Sequence, residues 1–302
     1  MPDTPFWPRY SPHFLACRRA VRPWDTPAVI GLSGGPDSLA LVAAAAAENK
    51  NVEAVVVDHG LQENSAQVAQ HAADQARALG VDAQVIRVTV APGNVEAQAR
   101  TARYAALHEV ADRRDIWVGH TADDQAETLL LTALRSHPAG MSPRTGQIVR
   151  PMLDLRRADT VGACHELGLD FWDDPMNQDR AYRRVRIRHE VLPLLADILG
   201  GDATAPLSRA AHQLATTEDF LAPLVAPTTD CSELADDHPA LRHRKIAAWL
   251  HEMGAAPSAS SISDIARLCT DWRGQGPIPV GGGLAVVRRN GQLTVQPTTK
   301  NQ

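Results

Sequence analysis

Residues 33–38, Ser33-Gly34-Gly35-Pro36-Asp37-Ser38, place two hydroxyls, two glycines and one carboxylate within six positions. That set is suited to holding phosphates and a divalent cation. Gly34 and Gly35 permit backbone angles and close approaches that a Cβ would block. Free N–H groups at the start of a helix, together with its partial positive charge, favour an anion there. Pro36 fits the first helical position, where its missing N–H breaks no intrahelical bond. Asp37 then stands beside the phosphates, and one carboxylate plus phosphate oxygens is the usual way to hold Mg²⁺. The string matches neither Gly-x-x-x-x-Gly-Lys-Ser/Thr nor Gly-x-Gly-x-x-Gly, so the two better-known phosphate loops are excluded.

Such a loop needs a strand before it and a helix after it. Ala28 to Leu32 reads as a buried parallel strand, and Ser38 onward as an Ala/Leu helix. The alternation continues with a strand at Glu53 to His59, a helix at Ala66 to Leu79 closed by Gly80, and a strand at Gln84 to Val90. A helix at Val95 to Arg113, a strand at Ile116 to Gly119 and a helix at Ala122 to Leu134 complete it. Strands separated by helices imply right-handed βαβ units. Ligands of such sheets sit beyond the carboxyl ends of the strands, so one crevice can collect Ser33, Asp58 and His120. Residues 136–146, rich in Pro, Gly, Ser and Arg, read as a flexible surface loop near the site. Helices follow at Arg157 to Leu167 and Tyr182 to Leu199, the latter kinked or ended by Pro193. Gly200-Gly201-Asp202 marks the expected boundary between domains 1–200 and 201–302. The second holds helices near Ser208 to Leu224, Pro239 to His251 and Ser261 to Trp272, then a hairpin with Asn290-Gly291 as a type I′ turn. The expected class is α/β: a doubly wound parallel sheet, with a smaller, mostly helical C-terminal domain ending in a β-hairpin.

The chain has 302 residues, 44% hydrophobic and 22% charged, enough for one sizeable core and a smaller second unit. No apolar run is long enough to span a bilayer, and a soluble, cytoplasmic protein without a membrane partner is expected. Cys17, Cys164, Cys231 and Cys269 are scattered without a Cys-x-x-Cys pair and read as ordinary thiols. With a net charge of −5, nucleic-acid binding must rest on a local patch. Arg180, Arg183, Arg184, Arg186 and Arg188 supply one, offset only by the adjacent Asp179. Trp172 is expected to pack in the core rather than stack on a base. Oligomeric state is left open.

The six-residue loop resembles the PP-loop of the N-type ATP pyrophosphatases, adenine nucleotide alpha hydrolase-like enzymes that split ATP into AMP and pyrophosphate. Further strings narrow the resemblance: Asp58-His59-Gly60-Leu61, Asn94 to Arg100 with Arg103-Tyr104, Gly119 to Thr128, Arg150-Pro151-Met152-Leu153, Trp172 to Asn177, and Tyr182 to Arg188. Together they look like the tRNA(Ile)-lysidine synthases over roughly residues 28–200. The resemblance implies ATP-dependent ligation of free L-lysine to C2 of the wobble cytidine of a CAU-bearing isoleucine tRNA. ATP first adenylates the C2 oxygen and the lysine amine then displaces AMP, so that the codon read changes from AUG to AUA. In those roles Ser33, Gly34, Gly35, Pro36 and Ser38 cradle the departing pyrophosphate, with Mg²⁺ on Asp37. Asp58 and His59 lie where adenosine could sit. Asp124 and Glu127, one turn apart, complete a metal site or hold the lysine ammonium, Asp124 being the second metal ligand; Asp123 points away from Glu127. His120 orients a phosphate or moves a proton, and Arg183, Arg184, Arg186 and Arg188 contact tRNA phosphates. One departure from the family is visible at Arg135 to Gly140, where Ser136-His137-Pro138 replaces small residues. The competing readings are another PP-loop enzyme, a tRNA thiolase or an amidating ligase, and a non-catalytic ATP-binding regulator.

Overall fold

The computed structural model describes residues 7–25, 27–62, 64–90, 95–135, 138–255 and 257–298. Asn94, Ser136 and His137 lie outside the described residues. Two compact units divide the chain, Met1–Ala215 and Thr216–Gln302.

The first unit opens with α1 (Pro12–Val21) and then alternates: β1 (Ala28–Gly31), α2 (Pro36–Ala47), β2 (Val52–Asp58), α3 (Ser65–Ala78), β3 (Asp82–Arg87), α4 (Val95–Ala111), β4 (Asp115–Trp117) and α5 (Ala122–Ala133). A short hairpin, β5 (Arg144–Thr145) and β6 (Ile148–Val149), leads into α6 (Arg157–Leu167), α7 (Arg183–Arg186), α8 (Leu192–Leu199) and α9 (Thr204–Leu221). The strand order is β3-β2-β1-β4-β6-β5, parallel except for β5 against β6. The chain winds outward from β1 to β3 and then restarts on the other side of β1, so the topological switch lies between β1 and β4.

Alternation along the central strands divides the core between the two faces. Ile30, Ala54 and Val56 pack with α1, α2 and α6 through Phe14, Cys17, Leu39, Leu41 and Cys164. Val29 and Val55 turn the other way, onto Leu107, Ala111, Ile116 and Val118. Both faces are thus apolar and covered, which is why these strands read as continuous hydrophobic runs. Helix α2 is buried over most of its circumference, and its alanines allow the close packing that such a central position demands.

One sequence expectation changes and another is refined. Residues 136–146, expected to be a flexible loop, are pinned from Pro138 onward. Gln125 exchanges hydrogen bonds with both backbone groups of Met141 at 2.7 and 2.8 Å, and Thr132 Oγ1 accepts from Ala139 N at 2.9 Å. A Cβ on Gly140 would run into the Ala211 carbonyl. The helical stretch expected from Tyr182 to Leu199, kinked or ended by Pro193, is α7, a π-turn over Ile187–Val191, and α8. Pro193 has no N–H for the carbonyl four residues back and its ring crowds that carbonyl; a widened turn relieves both.

In the second unit, α10 (Cys231–Asp236), α11 (Pro239–Glu252) and α12 (Ala259–Thr270) pack on an antiparallel sheet of β7 (Ile278–Gly281), β8 (Leu284–Arg289) and β9 (Gln292–Pro297). Leu234, Ile246, Leu250, Ile265, Leu268, Val280, Val286 and Leu293 form its own core. The β8–β9 turn has positive φ at Asn290 and Gly291 (50° and 78°), as a type I′ turn requires; β7 adds a third strand to the expected hairpin. No helix among the described residues is long and apolar enough to cross a membrane.

Candidate active site

The Ser33–Ser38 loop leaves β1 at the switch point. Gly34 has φ of 84°, a region an L side chain enters only with strain. Gly35 has an ordinary φ of −77° and no neighbour close enough to crowd a Cβ, so the expected backbone requirement for glycine holds at Gly34 alone. Pro36 opens α2 at its first position, as expected, with Asp37 in the first turn. Ser38 is spent inside the loop: its Oγ accepts from Ser33 N at 3.1 Å and donates to Gly35 O at 3.0 Å. Gly119, just beyond β4, presses on this turn, and an added Cβ would lie 2.9 Å from the Asp37 carbonyl carbon.

Facing the loop is α5, whose first turn carries the acids. Asp124 Oδ2 accepts from Thr121 N and Oγ1 at 2.8 and 2.9 Å, capping the helix. Its Oδ1 accepts from Arg157 Nη2 at 2.8 Å. The same guanidinium reaches Asp37 Oδ2 and Glu127 Oε1, each at 3.4 Å, and the Arg157 backbone N–H donates to Asp123 at 2.8 Å. One arginine therefore gathers Asp37 from α2 with Asp124 and Glu127 from α5. Asp123 turns instead to Arg156. Glu127 is fully buried; its Oε1 also accepts from Arg188 Nε at 2.7 Å, and its Oε2 has no hydrogen-bond partner among the described residues.

These surroundings move the protonation equilibria apart. Burial pushes Asp37 up to about 6, against the pull of Arg157 and the Thr160 hydroxyl that donates to it. Burial also works to raise Asp124, but Arg157, His120 and the Thr121 donors more than offset it and hold it below the ordinary carboxylate range. Burial, with Arg150, Arg103 and Arg100 nearby, brings His120 down to about 4, so its ring is neutral near pH 7. His59 is lowered too, by burial and then by Arg103. Each ring has a buried Nδ1 with no hydrogen-bond partner among the described residues. Among the described residues no group of three or more His, Cys, Asp or Glu is arranged to hold a metal ion.

Two adjoining cavities, about 560 and 660 Å³, open over these groups. The first, bordered by Val56, Asp58, Leu61 and Val68, is the more apolar end; the second holds the loop, His120, Asp124 and Arg157. Asp58 lines the first cavity while its Oδ1 accepts from Gly60 N at 2.9 Å, closing the turn after β2. The four expected RNA-contacting arginines divide. Arg184 donates to Thr128 at 3.4 Å and, like Arg188, lines a cavity wall. Arg183 and Arg186 face outward, Arg186 pairing with Glu190 at 3.1 Å. Trp172, expected in the core, stands 37% exposed at the rim of both cavities.

Arg157 and Thr160 went unread in the sequence, although a signal was present. Arg156 and Arg157 sit at the N-terminus of α6, where the helix dipole disfavours cations. Such a pair calls for carboxylates from elsewhere, and it finds them here.

The chain matches the family model described as the PP-loop domain over residues 19–195 and that of the TilS substrate binding domain over residues 230–294. It is 47% identical to a tRNA(Ile)-lysidine synthase of Corynebacterium glutamicum, over 95% of this chain and 96% of that protein. It is 52% identical to the Corynebacterium diphtheriae protein of the same name, over 96% and 99%. A U34-tRNA thiolase of Methanococcus maripaludis, solved with its [4Fe-4S] cluster, shares the fold at a TM-score of 0.55 and 16% identity, covering 66% of this chain and 77% of that one.

Proposed function

The chain belongs to the tRNA(Ile)-lysidine synthase family, and from that footing we propose that its crevice joins free lysine to the wobble cytidine of a CAU-bearing isoleucine tRNA at the expense of ATP. The observation that carries the reading is one cavity system with a phosphate-cradling loop on one wall and buried, arginine-tethered carboxylates on the other. The first wall suits a triphosphate and the second an ammonium group. In the first step the cytidine C2 oxygen attacks the α-phosphorus and pyrophosphate leaves. In the second, the lysine amine attacks C2, AMP leaves with the C2 oxygen, and lysidine remains.

Backbone N–H groups around Gly34 and Gly35 and the Ser33 hydroxyl are placed to hold the departing pyrophosphate, while Ser38 holds the loop in shape. Asp124 and Glu127 orient the lysine ammonium; the unpartnered Glu127 Oε2 is an acceptor already desolvated for that purpose. His120, neutral at working pH, is suited to orient a phosphate oxygen or accept a proton. Asp58 and His59 border the adenosine end. Arg184 and Arg188 steady the reacting groups, and the outward Arg183 and Arg186 meet the tRNA backbone. The second unit reads the tRNA rather than performing chemistry.

Asp37 and Asp124 offer hard carboxylate oxygens, which fits a cation held by one or two carboxylates together with substrate phosphates. When bound there, Mg²⁺ neutralises charge building on the pyrophosphate. The buried Cys17 and Cys164 thiols, each pushed up to about 12 by burial, weigh against sulfur transfer. A membrane-free cytoplasmic setting suits substrates such as tRNA, ATP and lysine. Incubation with transcribed isoleucine tRNA, ATP and labelled lysine, followed by nucleoside analysis, tests the reading: lysidine is expected only with the CAU anticodon. A digest without labelled nucleoside would overturn it.

A further inference from the structure

The cytosine must reach the second cavity, where its C2 oxygen can meet the α-phosphorus held by the loop and its C2 the amine held by the carboxylates. Trp172 stands at the seam between that cavity and the first, lining both. Its backbone N–H donates to Gly34 O at 2.9 Å, and its Cβ would lie 3.9 Å from a Cβ built on Gly34. The indole is thereby indexed to the phosphate loop itself. Phe171, one residue earlier, packs against the core, while Trp172 keeps 37% of its surface exposed. A large aromatic ring left at a cavity rim, on a backbone tied to the catalytic loop, is a surface for another flat group.

We propose that Trp172 is the stacking platform for the wobble cytosine, receiving the base once it is splayed from the anticodon loop. The inference rests on the lysidine synthase reading and deepens it. Bases taken out of their own stack are commonly received on aromatic side chains. Ser33 at the loop and Arg188 at Glu127 line the same seam, so a base lying on the indole is flanked by both reaction partners. The rival occupant of the ring is the adenine of ATP, and the two give opposite outcomes.

The test compares binding of two anticodon stem-loops, one with cytidine and one abasic at the wobble position, to the wild type, W172A and W172F. The wild type should favour the cytidine stem-loop by ~5- to 150-fold, the equivalent of about 1–3 kcal/mol for one base on an aromatic ring. W172A should lose that preference, W172F should keep most of it, and both should bind ATP within about twofold of wild type by calorimetry. If W172A loses ATP affinity and retains the cytidine preference, the ring serves adenine and the inference falls. It falls equally if W172A keeps the preference unchanged, or if W172F is as poor as W172A. A wild-type protein that forms no lysidine in the labelled-lysine assay overturns the functional reading itself, a result distinct from these.

Discussion

Replacing Asp37 with Asn should give a stability advantage over wild type that grows as pH rises, while abolishing pyrophosphate release. Burial, outweighing Arg157 and Thr160, moves the Asp37 carboxyl from 3.8 to about 6. The native state thus holds this proton more tightly than the unfolded chain does, so wild-type stability falls as pH climbs through that window. Below pH 3.8 the carboxyl is protonated in both states and the penalty vanishes; above about 6 it is complete, at roughly 3 kcal/mol. At pH 5 it amounts to about 1.6 kcal/mol by the same relation. Asn does not titrate. The stability of Asp37→Asn minus that of wild type should therefore grow by about 1.4 kcal/mol between pH 5 and pH 8, or ~3–6 °C in Tm for a unit of this size. Every other titrating group largely cancels in that difference. Urea or thermal unfolding of both proteins, in chelator and without nucleotide, measures it. A difference that is flat, or that shrinks toward pH 8, would refute the burial argument, and full pyrophosphate release by the variant would remove Asp37 from the phosphate site.

We further predict that Arg157→Met, which strips Asp37 and Asp124 of their shared cation, costs about 3–5 kcal/mol in urea unfolding, with Arg157→Lys recovering part of it; unchanged stability would show that the guanidinium does not hold the cluster. Gly119→Ala should destabilise by about 1–3 kcal/mol and weaken ATP binding in calorimetry, because its Cβ collides with the backbone of the phosphate loop; wild-type affinity for ATP would contradict that coupling. Reversing charge at Arg183 and Arg186 together should lower tRNA affinity and reduce the salt slope by roughly one unit for each tRNA phosphate no longer neutralised, leaving ATP affinity intact, and an unaltered slope would mean that both face only solvent.

Local signals in the chain were sufficient for the sheet and the loop. Ala28 to Leu32, a short buried run ending in Gly-Gly-Pro, can hardly be anything but a strand feeding a helix, and Pro36 stands at the expected first position. Asp124 and Glu127 share a helix face because spacing alone dictates it. What escaped notice depended on partners far away in sequence. Arg157 meets Asp37 from 120 positions away, and periodicity carries no information about such a meeting. Trp172 was misplaced for a related reason: hydrophobicity argues for burial, while the rim position is set by one hydrogen bond to Gly34. The loop from Pro138 looked mobile from composition because its restraints, Gln125 and Thr132, sit on the preceding helix.

The π-turn between α7 and α8 acts as a spacer of fixed phase. It lies between Val185, which packs inward, and Leu192, which packs with Ile187 and Ala126, and within it Arg188 turns to Glu127. One residue of an α-helix corresponds to about 100° of rotation. A π-turn holds one residue more than an α-turn between the same flanks, so it absorbs that rotation instead of passing it on to the helix on either side. Pro193, which bars the α-helical bond to the carbonyl of His189, favours keeping the turn wide. The residue that interrupts the helix thereby also lets one short segment send Arg188 into the site while its neighbours face the surface.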